Sequence, residues 1–234
     1  MYTNHKIFLL IIIVLLFSNT SMAQPLLGAQ LGLNIANLPG DKEDEETKPR
    51  IGLSPYITLD FMVNQILTIE TGVAYSMQGM QRTRTIQDDI SVTKTVTNYN
   101  IDYIIVPVYL KENFTNFYAK VGPYGAYPIN PIEKWEQSVS VAGEVTTTKD
   151  TNLDFKEAIN QYDIGVSIGF GYIHYLPKNR ARRHSHRKRT TNVLQIDLKY
   201  NFGLIPLDAT GNNPDLNLKN RVFTIGISIN SIYD

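Results

Sequence analysis

The sequence predicts an all-β fold, a single antiparallel up-and-down barrel of about eight strands. Three observations carry that expectation. Segments with period-two hydrophobicity recur from residue 25 almost to the C-terminus. Long and short connections alternate between them. The face opposite the apolar one is built from glycine, small polar and charged residues.

The chain opens on what reads as an export signal. Lys6 precedes the aliphatic run Ile7 to Phe17, and Ser21-Met22-Ala23 supplies small residues for cleavage before Gln24. The alternative is an uncleaved anchor. An eleven-residue apolar core is short for that role, because a bilayer-crossing helix needs about 20 residues. The expected organisation is therefore a signal peptide, 1–23, and one barrel domain, 24–234. There is no cysteine. Lipidation, disulfides, thiolate metal sites and thiol nucleophiles are excluded. The 22 basic and 22 acidic residues balance, so net charge names no partner.

The strands follow in order. The first sets Leu27, Ala29, Leu31, Leu33 and Ile35 against Gly28, Gln30, Gly32 and Asn34. The second sets Ile51, Leu53, Ile57, Leu59 and Phe61 against Gly52, Ser54, Tyr56, Thr58 and Asp60. The third sets Leu67, Ile69, Val73, Tyr75 and Met77 against Thr68, Glu70, Gly72, Ala74, Ser76 and Gln78. The fourth, Asn100 to Lys111, is apolar on both faces from Ile104 to Leu110, so periodicity does not orient it. The fifth, Phe117 to Tyr127, places Lys120, Gly122 and Tyr124 opposite Ala119 and Val121. The sixth and seventh alternate cleanly through Tyr162–Tyr172 and Leu194–Leu204. The eighth sets Phe223, Ile225, Ile227 and Ile229 against Thr224, Gly226, Ser228 and Asn230. Several reach the roughly 9–11 residues that a tilted strand needs to cross a bilayer. A short helix is expected within Asp154 to Gln161.

Met62 to Gln65 and Glu112 to Asn116 are short connections. Leu38 to Arg50, Met80 to Tyr99, Asn130 to Gln161 and Pro206 to Asn220 read as long polar loops. Outer-membrane barrels alternate in this way, with short turns on the periplasmic side. Pro177 to Thr190 departs from the pattern, being long and basic.

The direction of the apolar face separates a transmembrane barrel from a soluble, lipocalin-like one. Glycine on a solvent-exposed strand face would only weaken the strand. In a narrow lumen, Gly28, Gly32, Gly52, Gly72, Gly122, Gly165, Gly169, Gly171, Gly203 and Gly226 make room for larger polar groups. Glu70, Lys120, Asp163, Asp197 and Lys199 share that face and can pair across it. Tyr75, Tyr99, Tyr103, Phe117, Tyr127, Tyr172 and Phe202 are expected as interfacial girdles. The fold class expected is thus an eight-stranded antiparallel up-and-down transmembrane β-barrel.

The stretches Tyr103-Ile-Ile-Val-Pro-Val-Tyr-Leu-Lys111, Tyr118-Ala-Lys-Val-Gly-Pro-Tyr124, Asp163-Ile-Gly-Val-Ser-Ile-Gly-Phe-Gly171 and Leu194-Gln-Ile-Asp-Leu-Lys-Tyr-Asn-Phe-Gly-Leu204 resemble the porin-family outer-membrane β-barrel proteins of Bacteroidetes, PorT-like barrels of OmpA type. The resemblance covers most of the mature chain. It implies a cell outer-membrane address and, for some members, a link to secretion machinery. Two positions depart from the family pattern. Ile105 stands where an acidic residue is frequent, and Asp234 follows the terminal aromatic Tyr233.

No catalytic constellation emerges, and neither a metal nor a cofactor is expected. The acidic run Asp41, Glu43, Asp44, Glu45 and Glu46 lacks the spacing of a calcium loop. It reads as a solvated loop able to meet lipopolysaccharide through divalent ions. The basic run Lys178, Arg180, Arg182, Arg183, Arg187, Lys188 and Arg189 holds His184 and His186. It has no interleaved aromatics for nucleic acid. An anionic periplasmic partner or lipid surface fits it, as does a plain solvated turn. Of the remaining histidines, His5 lies in the signal and His174 on the lipid-facing side of a strand end, so no serine–histidine pair is apparent. The function expected is structural or partner-binding, in envelope assembly or secretion, with outer-membrane lipid and lipopolysaccharide as surroundings. A small pore or passive transporter is the alternative, and an outer-membrane enzyme the third reading.

Overall fold

The computed structural model describes residues 25–38, 45–142, 144–152, 155–176, 190–209 and 218–233. Its elements are β1 (Leu26–Asn37), β2 (Glu45–Met62), β3 (Leu67–Gln87), β4 (Ser91–Asn113), β5 (Phe117–Pro128), β6 (Ile132–Val141), β7 (Glu144–Asn152), α1 (Phe155–Ala158), β8 (Asp163–Tyr175), β9 (Thr190–Pro206) and β10 (Lys219–Tyr233). Eight strands close a ring in the order β1-β2-β3-β4-β5-β8-β9-β10, and every pairing is antiparallel. β1 seals against β10 from Gly28↔Asn230 to Asn37↔Arg221. The expected strands all lie in this ring. β10 runs through Tyr233, which pairs with Thr190.

Alternation decides the facing. Leu27, Leu31, Leu33, Ile51, Ile57, Val106, Leu110, Ile164, Ile196 and Ile227 project outward, Ile51 with 73 % of its surface open. A continuous apolar belt of this kind suits lipid and would aggregate in water. The lumen side carries Glu70, Lys111, Lys120 and Asp197, all buried. This is the reverse of a soluble barrel. β4, which periodicity left unoriented, turns Tyr103, Ile105, Pro107, Tyr109 and Lys111 inward and Val106, Val108 and Leu110 outward.

Glycine makes the lumen fit. A Cβ on Gly171 would overlap the Tyr118 ring, and one on Gly165 would overlap Tyr124. At Gly79 the backbone itself needs glycine, with φ at 137° and the Tyr99 carbonyl where a Cβ would sit. Beside it the β2–β3 register shifts between Pro49 and Tyr56.

The turn between β2 and β3 is tight. The Asn64 side-chain oxygen accepts from the Ile66 and Leu67 amides at 2.9 and 2.8 Å. At the opposite end two of the expected loops, Met80 to Tyr99 and Asn130 to Gln161, contain long strands among the described residues. β3 and β4 continue through Met80 to Tyr99, and only Asp88 to Ile90 joins them. Within Asn130 to Gln161 the chain adds β6 against β4 and β7 against β6. The acidic run is partly strand as well: Glu45 and Glu46 begin β2, and Glu46 pairs with Lys48 at 3.3 Å. From Tyr75 to Gln87 the wall rises roughly 40 Å along the strand, at about 3.4 Å per residue. It is rich in Thr93, Thr95, Thr97, Thr146, Thr147 and Thr148, whose branched side chains favour extended backbone. Being polar on both faces, this sheet offers no hydrophobic alternation, which is why the pattern reads as loop.

Candidate functional site

Two features could do chemistry or binding: the lumen and the sheet above its mouth. The lumen is crossed by a chain of alternating charges. Lys111 Nζ lies 3.1 Å from Asp60 Oδ2 and 3.0 Å from Glu70 Oε2. Lys120 Nζ lies 3.0 Å from Glu70 Oε1 and 2.8 Å from Asp197 Oδ2. The Tyr118 hydroxyl donates to Asp197 at 2.6 Å, and Lys111 sits 4.6 Å over the Tyr118 ring. The Tyr109 hydroxyl bonds Ser167 at 3.1 Å.

The register makes this chain obligatory. Lys111 stands directly opposite Lys120 across β4 and β5, and Asp60 directly opposite Glu70 across β2 and β3. Each like-charged pair would repel by itself. Interlocking the two pairs across the lumen, with Asp197 added, gives Lys111 and Lys120 two carboxylates each. Buried charge then finds the hydrogen bonds that make it tolerable.

Of the five expected lumen charges, Glu70, Lys120 and Asp197 are joined in this way. Asp60 and Lys111 join them; the sequence sets Asp60 on the polar face of its strand but not among the pairing charges, and Lys111 closes a strand of unknown facing. Lys199 takes no ion pair among the described residues and lies 5.5 Å over the Tyr56 ring. Asp163 has no cation among them either. It accepts from Asn220 at 2.8 Å and from the Tyr124 hydroxyl at 3.4 Å.

Above the ionic chain the mouth is filled by apolar side chains. Leu38, Met80, Tyr99, Ile101, Phe155, Ile159, Leu207 and Leu218 form one buried cluster continuous with Tyr103, Ile105 and Tyr124. Ile105, the position that departs from the acidic pattern, is part of it. Phe155 packs on Tyr99 with ring centroids 5.6 Å apart. The expected helix is a single turn, Phe155–Ala158. Beyond it the backbone turns to the β9 end: Asn160 N donates to Leu207 O at 2.8 Å, and Leu207 N to Leu218 O at 2.7 Å. The Asn160 side chain donates to Pro206 O and Asp208 O, both at 2.9 Å. This cap left no sequence signal, because its residues come singly from distant segments.

The girdle expectation needs one correction. Phe117, Tyr127, Tyr172 and Phe202 do face outward, and Phe117 packs against Tyr172 at 5.3 Å. Tyr99 and Tyr103 instead face inward and are buried, because odd positions of β4 point to the lumen. Tyr75 is half-buried, and its hydroxyl donates to Asp102 at 2.7 Å, with Arg50 3.2 Å from the same carboxylate.

His174 lies on the exposed outer face, as its parity predicts. Asp41, Glu43, Asp44, the signal, and the basic run with His184 and His186 lie outside the described residues. Among the described residues no cluster of histidine, aspartate and glutamate could hold a metal ion.

The family model for the outer membrane protein beta-barrel domain matches residues 17–209. Among solved structures, the chain is similar to the attachment invasion locus protein Ail of Yersinia pestis, at 10 % identity and TM-score 0.34, over 88 % of this chain and 96 % of that one. It is also similar to Neisserial surface protein A, at 12 % identity and TM-score 0.39, over 90 % and 99 %. No curated protein matches.

Proposed function

The chain belongs to the outer membrane protein β-barrel family and is a cell outer-membrane protein, and from that premise we propose that it is a closed barrel that holds and presents its outer sheet to a partner. The observation that carries this reading is the double closure of the lumen. The Asp60–Lys111–Glu70–Lys120–Asp197 chain crosses it, and the Phe155–Ile159–Leu207–Leu218 cluster fills its mouth. An eight-stranded barrel has an interior just wide enough for side chains. A passive transporter would need both layers displaced, so the pore reading is the weaker one. No enzymatic role is proposed. The test is reconstitution into planar bilayers, where no steady conductance is expected. Reproducible open channels would overturn the reading.

The porin-like stretches around Pro107 and Gly122-Pro123-Tyr124 support kinship with the Bacteroidetes barrels, and with it a role in envelope assembly or secretion. The short turns support a periplasmic β8–β9 connection, and there the basic run 178–189 would meet an anionic partner or lipid surface. Residues 1–23 would be removed on export.

A further inference from the structure

The sheet above the mouth offers a surface that the ionic chain does not use and that the cap meets only where α1 approaches β6. β6 is flanked by β4 and β7, yet none of its residues is buried, and every residue of β7 is exposed. A strand covered on one face would alternate buried and exposed residues. Both faces of this part of the sheet therefore meet solvent.

Trp135, the one tryptophan of the chain, sits mid-β6 opposite Thr97 on β4 and Asp150 on β7. Opposed residues share a face, and Thr97 shares one with Tyr99, which is buried against the cap. The Trp135 face is thus the upward continuation of the lumen wall and looks across the mouth rather than into the surrounding lipid. Among the described residues the indole makes no ring contact, and its N–H has no hydrogen-bond acceptor. Around it on that face are Glu133, Gln137, Thr95, Thr97, Thr148 and Asp150. An open groove continues along the same face past Val139 and Val141, with Thr146 and Glu144 on its other side.

We propose that this face binds a linear, neutral oligosaccharide from the external medium, with one pyranose ring on Trp135 and the following units along the β6–β7 groove. A pyranose has an apolar C–H face and a rim of hydroxyls. The indole supplies a flat apolar surface with one donor, and the flanking carboxylates, amide and hydroxyls supply partners for the rim. From Trp135 to Val141 the strand runs about 20 Å, at about 3.4 Å per residue, room for roughly four sugar units. An anionic ligand would meet Glu133, Asp150 and Glu144. A protein's apolar anchor residues would meet a polar ring around one tryptophan. The assignment rests on the reading of a closed barrel that displays its outer sheet. That reading fails by conductance, and this one by fluorescence.

Because the chain has a single tryptophan, its intrinsic emission reports on this site alone. The full chain, folded in a detergent without a sugar headgroup, is titrated with maltohexaose, cellohexaose and chitohexaose. At least one should give a saturable change in emission and protect Trp135 from iodide quenching. Gln137→Ala with Asp150→Ala should weaken that binding by about tenfold, the loss of one or two hydrogen bonds. Gel mobility before and after heating checks that the variant is folded. By calorimetry, Trp135→Ala should abolish binding, while Trp135→Phe should keep part of it. No saturable response to any of the three sugars overturns the proposal, as does a response unchanged in the Gln137/Asp150 variant. A response to purified lipopolysaccharide alone overturns the assignment to a ligand from the medium.

Discussion

Replacing Glu70 by Gln tests whether the lumen chain holds the barrel together. Glu70 is the central link, 3.0 Å from both Lys111 and Lys120. The substitution leaves Asp60 and Asp197 facing Lys111, Lys120 and Lys199, so the six-charge set moves from neutral (three against three) to one excess positive charge. Breaking a buried pair typically costs about 3–5 kcal/mol. Each lysine keeps one carboxylate, at 3.1 Å for Lys111 and 2.8 Å for Lys120, so the lower end applies. A loss of about 3 kcal/mol is expected, roughly 150-fold in the unfolding equilibrium. Lys199→Met is the control. Among the described residues Lys199 makes no ion pair; it has its contact with the Tyr56 ring to lose, worth about 1 kcal/mol, and a longer-range attraction to Asp197. Combined with Glu70→Gln it restores neutrality, so the double variant should be less unstable than the sum of the two singles. Urea unfolding of the barrel in micelles, followed by gel mobility without heating, measures all three. If Glu70→Gln costs under about 1 kcal/mol, or Lys199→Met costs as much as Glu70→Gln, the ionic chain is not what stabilises the lumen.

The remaining predictions follow from packing and position. Gly171→Val places a side chain into the Tyr118 ring and should cost more than about 2 kcal/mol or block folding, whereas Gly125→Ala, with nothing within 4 Å, should leave heat-modifiable mobility unchanged. Edman sequencing of the outer-membrane fraction should start at Gln24; retention of Met1 would reject the signal assignment. Changing Lys178, Arg180, Arg182, Arg183, Arg187, Lys188 and Arg189 to Ser should reduce binding to anionic vesicles at low salt, since each gains about 1 kcal/mol near such a surface. Unchanged binding would make the run a solvated insertion, and surface labelling of Ser185→Cys on intact cells would invert the topology.

The sequence by itself determined where the eight barrel strands run and which face of seven of them meets lipid. That information is local: side chains two residues apart share a face, and the contrast of Leu31 and Leu33 with Gly32 and Asn34 needs no tertiary partner to be read. It failed where the contrast vanishes. β4 is apolar on both faces, so only its register against β3 and β5 turned Tyr103 and Lys111 inward. The outer halves of β3 and β4, with β6 and β7, are polar on both faces and so resemble loop, although pairing satisfies their backbone. The ionic chain and the cap are wholly tertiary. Lys111 and Asp60 stand 51 residues apart in the chain, Lys120 and Glu70 50, and Phe155 meets Tyr99 from a separate segment. Closure of the ring and the stagger of its strands decide which lysine reaches which carboxylate, and no period along a single strand encodes that stagger.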